Sequence, residues 1–312
     1  MSGSSVLSER IPRAWALWKM SRPSQLLLIV AVYALGVAIA VASGAPLDTP
    51  VVVAGVAALV PTAAAVHYAN EYADYDTDAD ADRTPFSGGS GALHVTGLPR
   101  SLARDATVAA LAVGSLAVGG LWLAELLSST AAVLLAGIAV LGLQYSLPPL
   151  SLAWHGVGEL DNALLGGLLL PCYGAAVLGG LTVDVALAVV PFTLFVFVNL
   201  LETQWPDRMP DADVGKYTLP TRWSKRRLRA TYWLVTTAGV VSLYVLTADT
   251  APLPGVDPIP RVVTAATLPA LPLFVWGGVR YTRREEPFPA VVGMVFVAVA
   301  QLLAWGYLAA LA

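Results

Sequence analysis

Long apolar stretches separated by short polar ones set the pattern of this chain. Nine runs of mostly apolar residues occur, at roughly 25–43, 50–70, 103–123, 128–146, 161–181, 184–204, 229–247, 261–280 and 288–311. Each approaches the ~20 residues a helix needs to cross a bilayer. Runs of this length with Gly and Pro inside are helices in hydrocarbon, where every backbone N–H and C=O must be satisfied within its own segment. A membrane β-barrel would instead alternate polar and apolar residues in segments of about 10, and the chain has no such alternation. The expected fold is an all-α membrane protein. A single bundle of nine transmembrane helices occupies 25–312, preceded by an amphipathic cytoplasmic segment over 1–24.

Composition strengthens this picture. Apolar residues make up 57% of the chain and charged residues 12%, against about 45–50% and about 25% in soluble domains. The first 24 residues hold no apolar core of a signal sequence. Arg10, Arg13, Lys19 and Arg22 beside Trp15 and Trp18 instead suit the membrane interface. One cysteine, Cys172, excludes an intramolecular disulfide and a cysteine-based metal cage. A formal net charge of −3 argues for no nucleic-acid partner.

The basic residues set the orientation, because positive short loops stay cytoplasmic. Arg10, Arg13, Lys19 and Arg22 precede span 1, and Arg83, Arg100 and Arg104 follow span 2. Arg208, Lys216, Arg222, Lys225, Arg226, Arg227 and Arg229 follow span 6, and Arg280, Arg283 and Arg284 follow span 8. Only Arg261 falls on the other side. The N-terminus is therefore expected in the cytoplasm and the C-terminus outside, in a multi-pass protein of the cell membrane. Lys225 to Arg229 reads as a topology anchor on anionic lipid, and Trp205 and Trp223 read as interfacial belt residues.

Carboxylates gather at the cytoplasmic ends of two spans. Asn70, Asp74, Asp78 and Asp82 recur every four residues after span 2, as do Asn199, Thr203, Asp207 and Asp211 after span 6. If each helix continues, such spacing stacks the side chains on one face; Pro206 and Pro210 interrupt the second series. Pro61 and Pro191 precede the two series at similar distances, a weak internal repeat of spans 1–4 in spans 5–8. Facing carboxylates repel unless a cation lies between them, and Mg²⁺ suits all-oxygen ligands shared with substrate phosphates. Arg83, Arg208, Lys216 and Arg222 suit the phosphate itself. Backbone N–H groups of Ser87-Gly88-Gly89-Ser90-Gly91 suit it too. Either acidic run alone would read as a solvated loop. A calcium loop is excluded because Ala81 and Ser87 stand where it needs Gly and Glu. His67, one turn before Asn70, either lines the site or packs in the core; His94 and His155 suggest no ligand set. A transporter would place ionisable groups near mid-membrane, where these spans are apolar.

The pattern Asn70-x3-Asp74-x3-Asp78 with Asp207-x3-Asp211, after spans 2 and 6 of nine, resembles the UbiA-type superfamily of intramembrane prenyltransferases. Arg22-Pro23, Tyr145-Ser146-Leu147-Pro148-Pro149, Gly156-Val157-Gly158-Glu159 and Gly215-Lys216-Tyr217-Thr218-Leu219 with Arg222 extend the likeness over essentially the whole chain. The Gly-Ser stretch at 87–91 looks most like the 1,4-dihydroxy-2-naphthoate polyprenyltransferases of menaquinone synthesis. Two departures touch the substrate contacts. Glu202-Thr203-Gln204-Trp205-Pro206 stands where relatives have Asn and Arg, and Ser151 stands where they often have a base.

The resemblance implies a Mg²⁺-dependent transferase of polyprenyl groups to an aromatic acceptor, in contact with membrane lipid. Asn70, Asp74, Asp78, Asp207 and Asp211 would hold Mg²⁺, the four aspartates acting in catalysis. Arg22, His67, Tyr68, Tyr72, Arg83, Tyr145, Ser146, Lys216 and Arg222 would contact substrate. In that role the tyrosines face an allylic cation, Arg22 orients an acidic acceptor, and His67 or Asp78 takes a proton. Other acceptors open to the superfamily are a phenolic acid, a porphyrin, a glycerophosphate lipid or a carotenoid.

Overall fold

The structure, a computed structural model, describes residues 12–80, 89–247 and 258–312. Among them the chain is helical, with one isolated bridge between Thr247 and Ile259 and no strand. A short helix α1 (Pro12–Met20) leads into α2 (Pro23–Ala42), α3 (Thr49–Ala73), α4 (Thr77–Asp80) and α5 (Ala92–Thr96). Then come α6 (Ser101–Leu123), α7 (Ser129–Ser146), α8 (Gly158–Val177) and α9 (Val183–Thr203). The remaining helices are α10 (Arg208–Asp213), α11 (Leu219–Arg222), α12 (Lys225–Val245), α13 (Arg261–Arg280) and α14 (Phe288–Ala309).

Eight helices are long and apolar enough to cross a membrane, the first running through α1 and α2 together. The chain is thus a multi-pass membrane protein. The remaining expected span corresponds to α12, 21 residues long and packed on α9, but less apolar than the others. Every expected span matches a helix to within a few residues. Helix α8 ends early, at Val177, because Gly179, at φ 70°, turns the chain left-handed where other residues resist it.

Helix starts follow local chemistry. Asp48, Ser128, Thr182 and Ser224 each accept a hydrogen bond from the backbone N–H three residues on, capping α3, α7, α9 and α12. In α8, Pro171 has no N–H to give the preceding turn, and the helix widens into a π turn over Leu164–Leu169 just before it.

Small residues let the spans approach. A Cβ on Gly36 of α2 would run into the Pro171 carbonyl oxygen of α8, and one on Gly174 of α8 would run into that of Tyr33. The two helices therefore cross backbone to backbone. Side chains such as Leu116, Leu123, Val133 and Leu234 point outward from the bundle, as lipid contact requires. One end carries the polar architecture: α1 lies against α5, α3 and α6. Ala16 and Met20 of α1 are buried in a cluster with Ala92, Leu93 and Ala103, flanked by Tyr68, Tyr72 and Tyr75.

Candidate active site

The acidic series do not run along two continuous helices. Helix α3 ends at Ala73, and Asp74 closes it with its N–H on the Asn70 carbonyl. The chain turns, and Asp78 N–H bonds to Asp74 O at 2.8 Å as α4 begins. Likewise α9 ends at Thr203, Asp207 stands at the start of α10, and Asp211 N–H bonds to Asp207 O at 2.9 Å. Both carboxylate sets are thus presented by a break and a short helix rather than a ladder. Helix α4 packs against α10, which brings the two segments together. Asp82 and Arg83, with Ser87 and Gly88, lie outside the described residues.

A lysine stands where the segments meet. Lys216 Nζ is 3.4 Å from Asp211 Oδ1 and 3.6 Å from Asp74 Oδ2. Gly215, at φ 78°, reverses the chain after α10 so that Lys216 returns to Asp211. Burial pulls the Lys216 ammonium down, but Asp74 and Asp211 outweigh it and hold its pKa above the usual lysine value. Burial raises the Asp211 pKa, Asp74 adds to the rise, and Lys216 opposes it. Asp78 is pushed up to about 7, first by burial and then by the Asp74 and Glu71 carboxylates.

Buried Glu159, at the start of α8, accepts Leu219 N–H at 2.6 Å through Oε1. Tyr217 N–H bonds to Trp154 O. Together these contacts fasten the segment carrying Lys216. Tyr145 lies within the fields of Lys216, Glu159 and Asp74, and Ser146 Oγ accepts a hydrogen bond from Asn70 Nδ2.

The first motif is also tied to the N-terminal turn. Arg22 Nη2 donates to Asn70 Oδ1 and to Glu71 Oε1, each at 2.7 Å, and Ser90 Oγ donates to Glu71 Oε2 at 2.6 Å. Arg22 thus engages Asn70 and Glu71 through Nε and Nη2. His67 Nδ1 donates to Ser21 O at 2.7 Å, bracing the same turn.

Other residues of the expected set have protein partners of their own. Tyr68 OH donates to Leu17 O, and Tyr72 packs under Arg100, so both rings serve the α1 side of α3. Arg222 reaches toward His155 O and Gly156, on the loop after α7. Trp205 is not a belt residue: it is buried, with Arg208 stacked 3.9 Å from its ring centroid. Glu202 turns away from Lys216 and accepts Ala290 N–H at the start of α14. Glu71 and Glu159 are the site residues that sequence reasoning left without a role. Glu71 offered only a carboxylate at the edge of an apolar run, whereas Glu159 stood in the Gly156-Val157-Gly158-Glu159 stretch with no role attached to it.

The donor chemistry suits a hard cation. Asp74 Oδ1 is buried and accepts no hydrogen bond, so it has an oxygen to offer. Among the described residues no three His, Cys, Asp or Glu side chains converge into a ready cage. That is compatible with an ion such as Mg²⁺, which takes few protein ligands and completes its shell with substrate phosphates.

A family model described as the UbiA prenyltransferase family matches residues 28–300. No curated protein matches the sequence. Among solved structures, a UbiA homolog from Archaeoglobus fulgidus bound to GPP and Mg²⁺ is similar with a TM-score of 0.72 and 17% identity, over 95% of this chain and 99% of that one. A digeranylgeranylglyceryl phosphate synthase matches with a TM-score of 0.65 and 14% identity, over 95% and 99%. The apo UbiA homolog from Aeropyrum pernix K1 gives 0.63 and 17%, over 88% and 96%.

Proposed function

Because the chain belongs to the UbiA prenyltransferase family, we propose that it transfers a polyprenyl group from a polyprenyl diphosphate to an aromatic acceptor, 1,4-dihydroxy-2-naphthoate of menaquinone biosynthesis. The observation that carries this reading is the meeting of Asp74 and Asp211, one from each acidic motif, at a single cationic centre. The naphthoate assignment rests on the Gly-Ser stretch at 87–91.

Of the expected ligands, Asp74, Asp78, Asp207 and Asp211 would hold Mg²⁺, while Asn70, its oxygen engaged by Arg22, would act through Asp74; homologs solved with GPP or DMAPP and Mg²⁺ support an ion here. When bound, the ion supplies charge neutralisation for a departing diphosphate. Lys216 adds a fixed positive charge at the same place, and electrostatic preorganisation of this kind favours leaving-group departure. Tyr145, beside Lys216, offers an aromatic face to an allylic cation, and the closed apolar bundle keeps water from it. The isoprenoid tail lies among the spans, toward lipid. Nine spans, with α12 among them, give a cytoplasmic N-terminus, an external C-terminus and a site facing the cytoplasm of a cell membrane. The Lys and Arg distribution supports this orientation.

The test is prenyl transfer by purified protein in lipid, with and without Mg²⁺. Geranylgeranyl diphosphate is the donor and a panel of acceptors is led by 1,4-dihydroxy-2-naphthoate, with product mass as readout. A Mg²⁺-dependent prenylated naphthoate, absent in Asp74→Ala, is expected. Prenylation of a phenolic acid, a porphyrin, a carotenoid or a glycerophosphate lipid instead would move the acceptor. No prenyl product with any acceptor would overturn the reading.

A further inference from the structure

Glu71 is a buried carboxylate whose oxygens are both spoken for, by groups from two distant segments. Its Oε1 accepts from Arg22 Nε at 3.2 Å, Arg22 Nη2 at 2.7 Å and Ser90 N–H at 2.9 Å, while Oε2 accepts from Ser90 Oγ at 2.6 Å. An unpaired charge would be costly there, with the side chain 4% exposed. Paired in this way, it joins the turn between α1 and α2 to the Gly-Ser loop.

That junction continues into the acidic motif. Arg22 Nη2 also donates to Asn70 Oδ1, and Asn70 Nδ2 donates to Asp74 Oδ2 at 2.8 Å and Ser146 Oγ at 3.1 Å. The network fixes which way the amide faces. Turned over, it would set NH₂ against the guanidinium and a carbonyl oxygen against the Asp74 carboxylate. Asn70 therefore acts on Asp74 as a donor, its own oxygen being held by Arg22.

Arg22 is held against its own backbone preference. Its φ of 51° and ψ of 68° place a non-glycine residue in the left-handed region, which costs free energy. The bonds to Glu71, and that of His67 to Ser21 O, offset this cost. Among the described residues Arg22 Nη1 makes no hydrogen bond, and the guanidinium field reaches Asp78.

We propose that Glu71 is a positioning residue that holds Arg22 and Ser90 so that Asn70 aims its amide at Asp74, with the Nη1 edge of Arg22 left to meet the substrate diphosphate. This rests on the reading of the site as a prenyl diphosphate site.

The experiment compares wild type with Glu71→Gln, Glu71→Asp and Asn70→Asp in lipid. It measures kcat, the KM for geranylgeranyl diphosphate, melting temperature, and calorimetric binding of magnesium pyrophosphate. For Glu71→Gln we expect KM to rise and pyrophosphate binding to weaken by about tenfold or more, the size of a lost charge-assisted bond. Its melting temperature should stay within about 2 °C of wild type, and Glu71→Asp should restore much of the binding. Asn70→Asp, which keeps every oxygen but loses the donor, should weaken pyrophosphate binding as well. Unchanged KM and binding in Glu71→Gln would overturn the proposal. So would a joint fall in kcat, affinity and melting temperature that Glu71→Asp does not repair, since that marks a merely structural residue. Tight pyrophosphate binding in Asn70→Asp would overturn the donor role. A wild-type protein that binds magnesium pyrophosphate but transfers no prenyl group would sink the proposed function alone, and the binding comparison would still decide the role of Glu71.

Discussion

Asp74 and Asp211 share one cation: they arrive from opposite halves of the chain, and the Lys216 ammonium stands 3.6 Å from the first and 3.4 Å from the second. Neither carboxylate is otherwise neutralised among the described residues. Lys216→Met should therefore reduce prenyl transfer by about 100-fold or more, and Lys216→Arg should retain part of the activity. Steady-state rates with geranylgeranyl diphosphate check this. Full turnover in Lys216→Met would show that the lysine only fills space.

Asp78 gives the ligand-free protein a pH dependence. Its carboxyl is held at about 7, against a usual value of 3.8, so the folded chain binds this proton more tightly than the unfolded chain. The associated stability is fully present below about pH 4 and is lost as pH rises through about 7. The melting temperature should accordingly fall between pH 5 and pH 8 (on the order of a few degrees). Asp78→Asn should flatten that fall, and an equal slope in both proteins would refute the assignment. On the proposed reading of Asp78 as a Mg²⁺ ligand, Mg²⁺ affinity should increase over the same interval, because the ionised carboxylate is the form that binds a cation.

Glu159 fastens the segment that carries Lys216. Glu159→Ala leaves the Leu219 N–H without its acceptor, at a cost of about 1–3 kcal/mol. Amide hydrogen exchange over residues 216–222 should accelerate, with turnover reduced alongside. Exchange confined to α8 would mean that the contact steadies the span and not the loop.

The crossing of α2 and α8 should tolerate no side chain. Gly36→Ala and Gly174→Ala each drive a methyl into backbone and should destabilise the bundle by about 1–3 kcal/mol. Gly119→Ala meets nothing within 4 Å and should be neutral or stabilising by up to about 1 kcal/mol. Unfolding in mixed detergent distinguishes the two classes.

The spans were legible in the sequence because hydrocarbon imposes one length and one secondary structure, and Asp48 and Ser128 mark their starts by capping. The conjunction of acidic groups from spans 2 and 6 was legible as well, through its four-residue spacing. The continuous ladder was not: Asp74 leaves the helix, and Asp78 belongs to a new one. The packing of Tyr68 and Tyr72, one turn apart, against the cluster formed by α1 was not legible either, because that contact is made between distant segments. Glu71 could not be read at all, because its partners Arg22 and Ser90 lie 49 and 19 residues away. No local spacing records such a meeting.

The tie between Arg22 and Glu71 also has a temporal side. During synthesis α1 and its turn leave the ribosome well before their partners, since 49 residues separate Arg22 from Glu71 and the Ser90 clasp comes 19 later still. The tie can therefore close only once residue 90 has been made, and the grip on the first acidic motif is among the later things this end of the protein acquires.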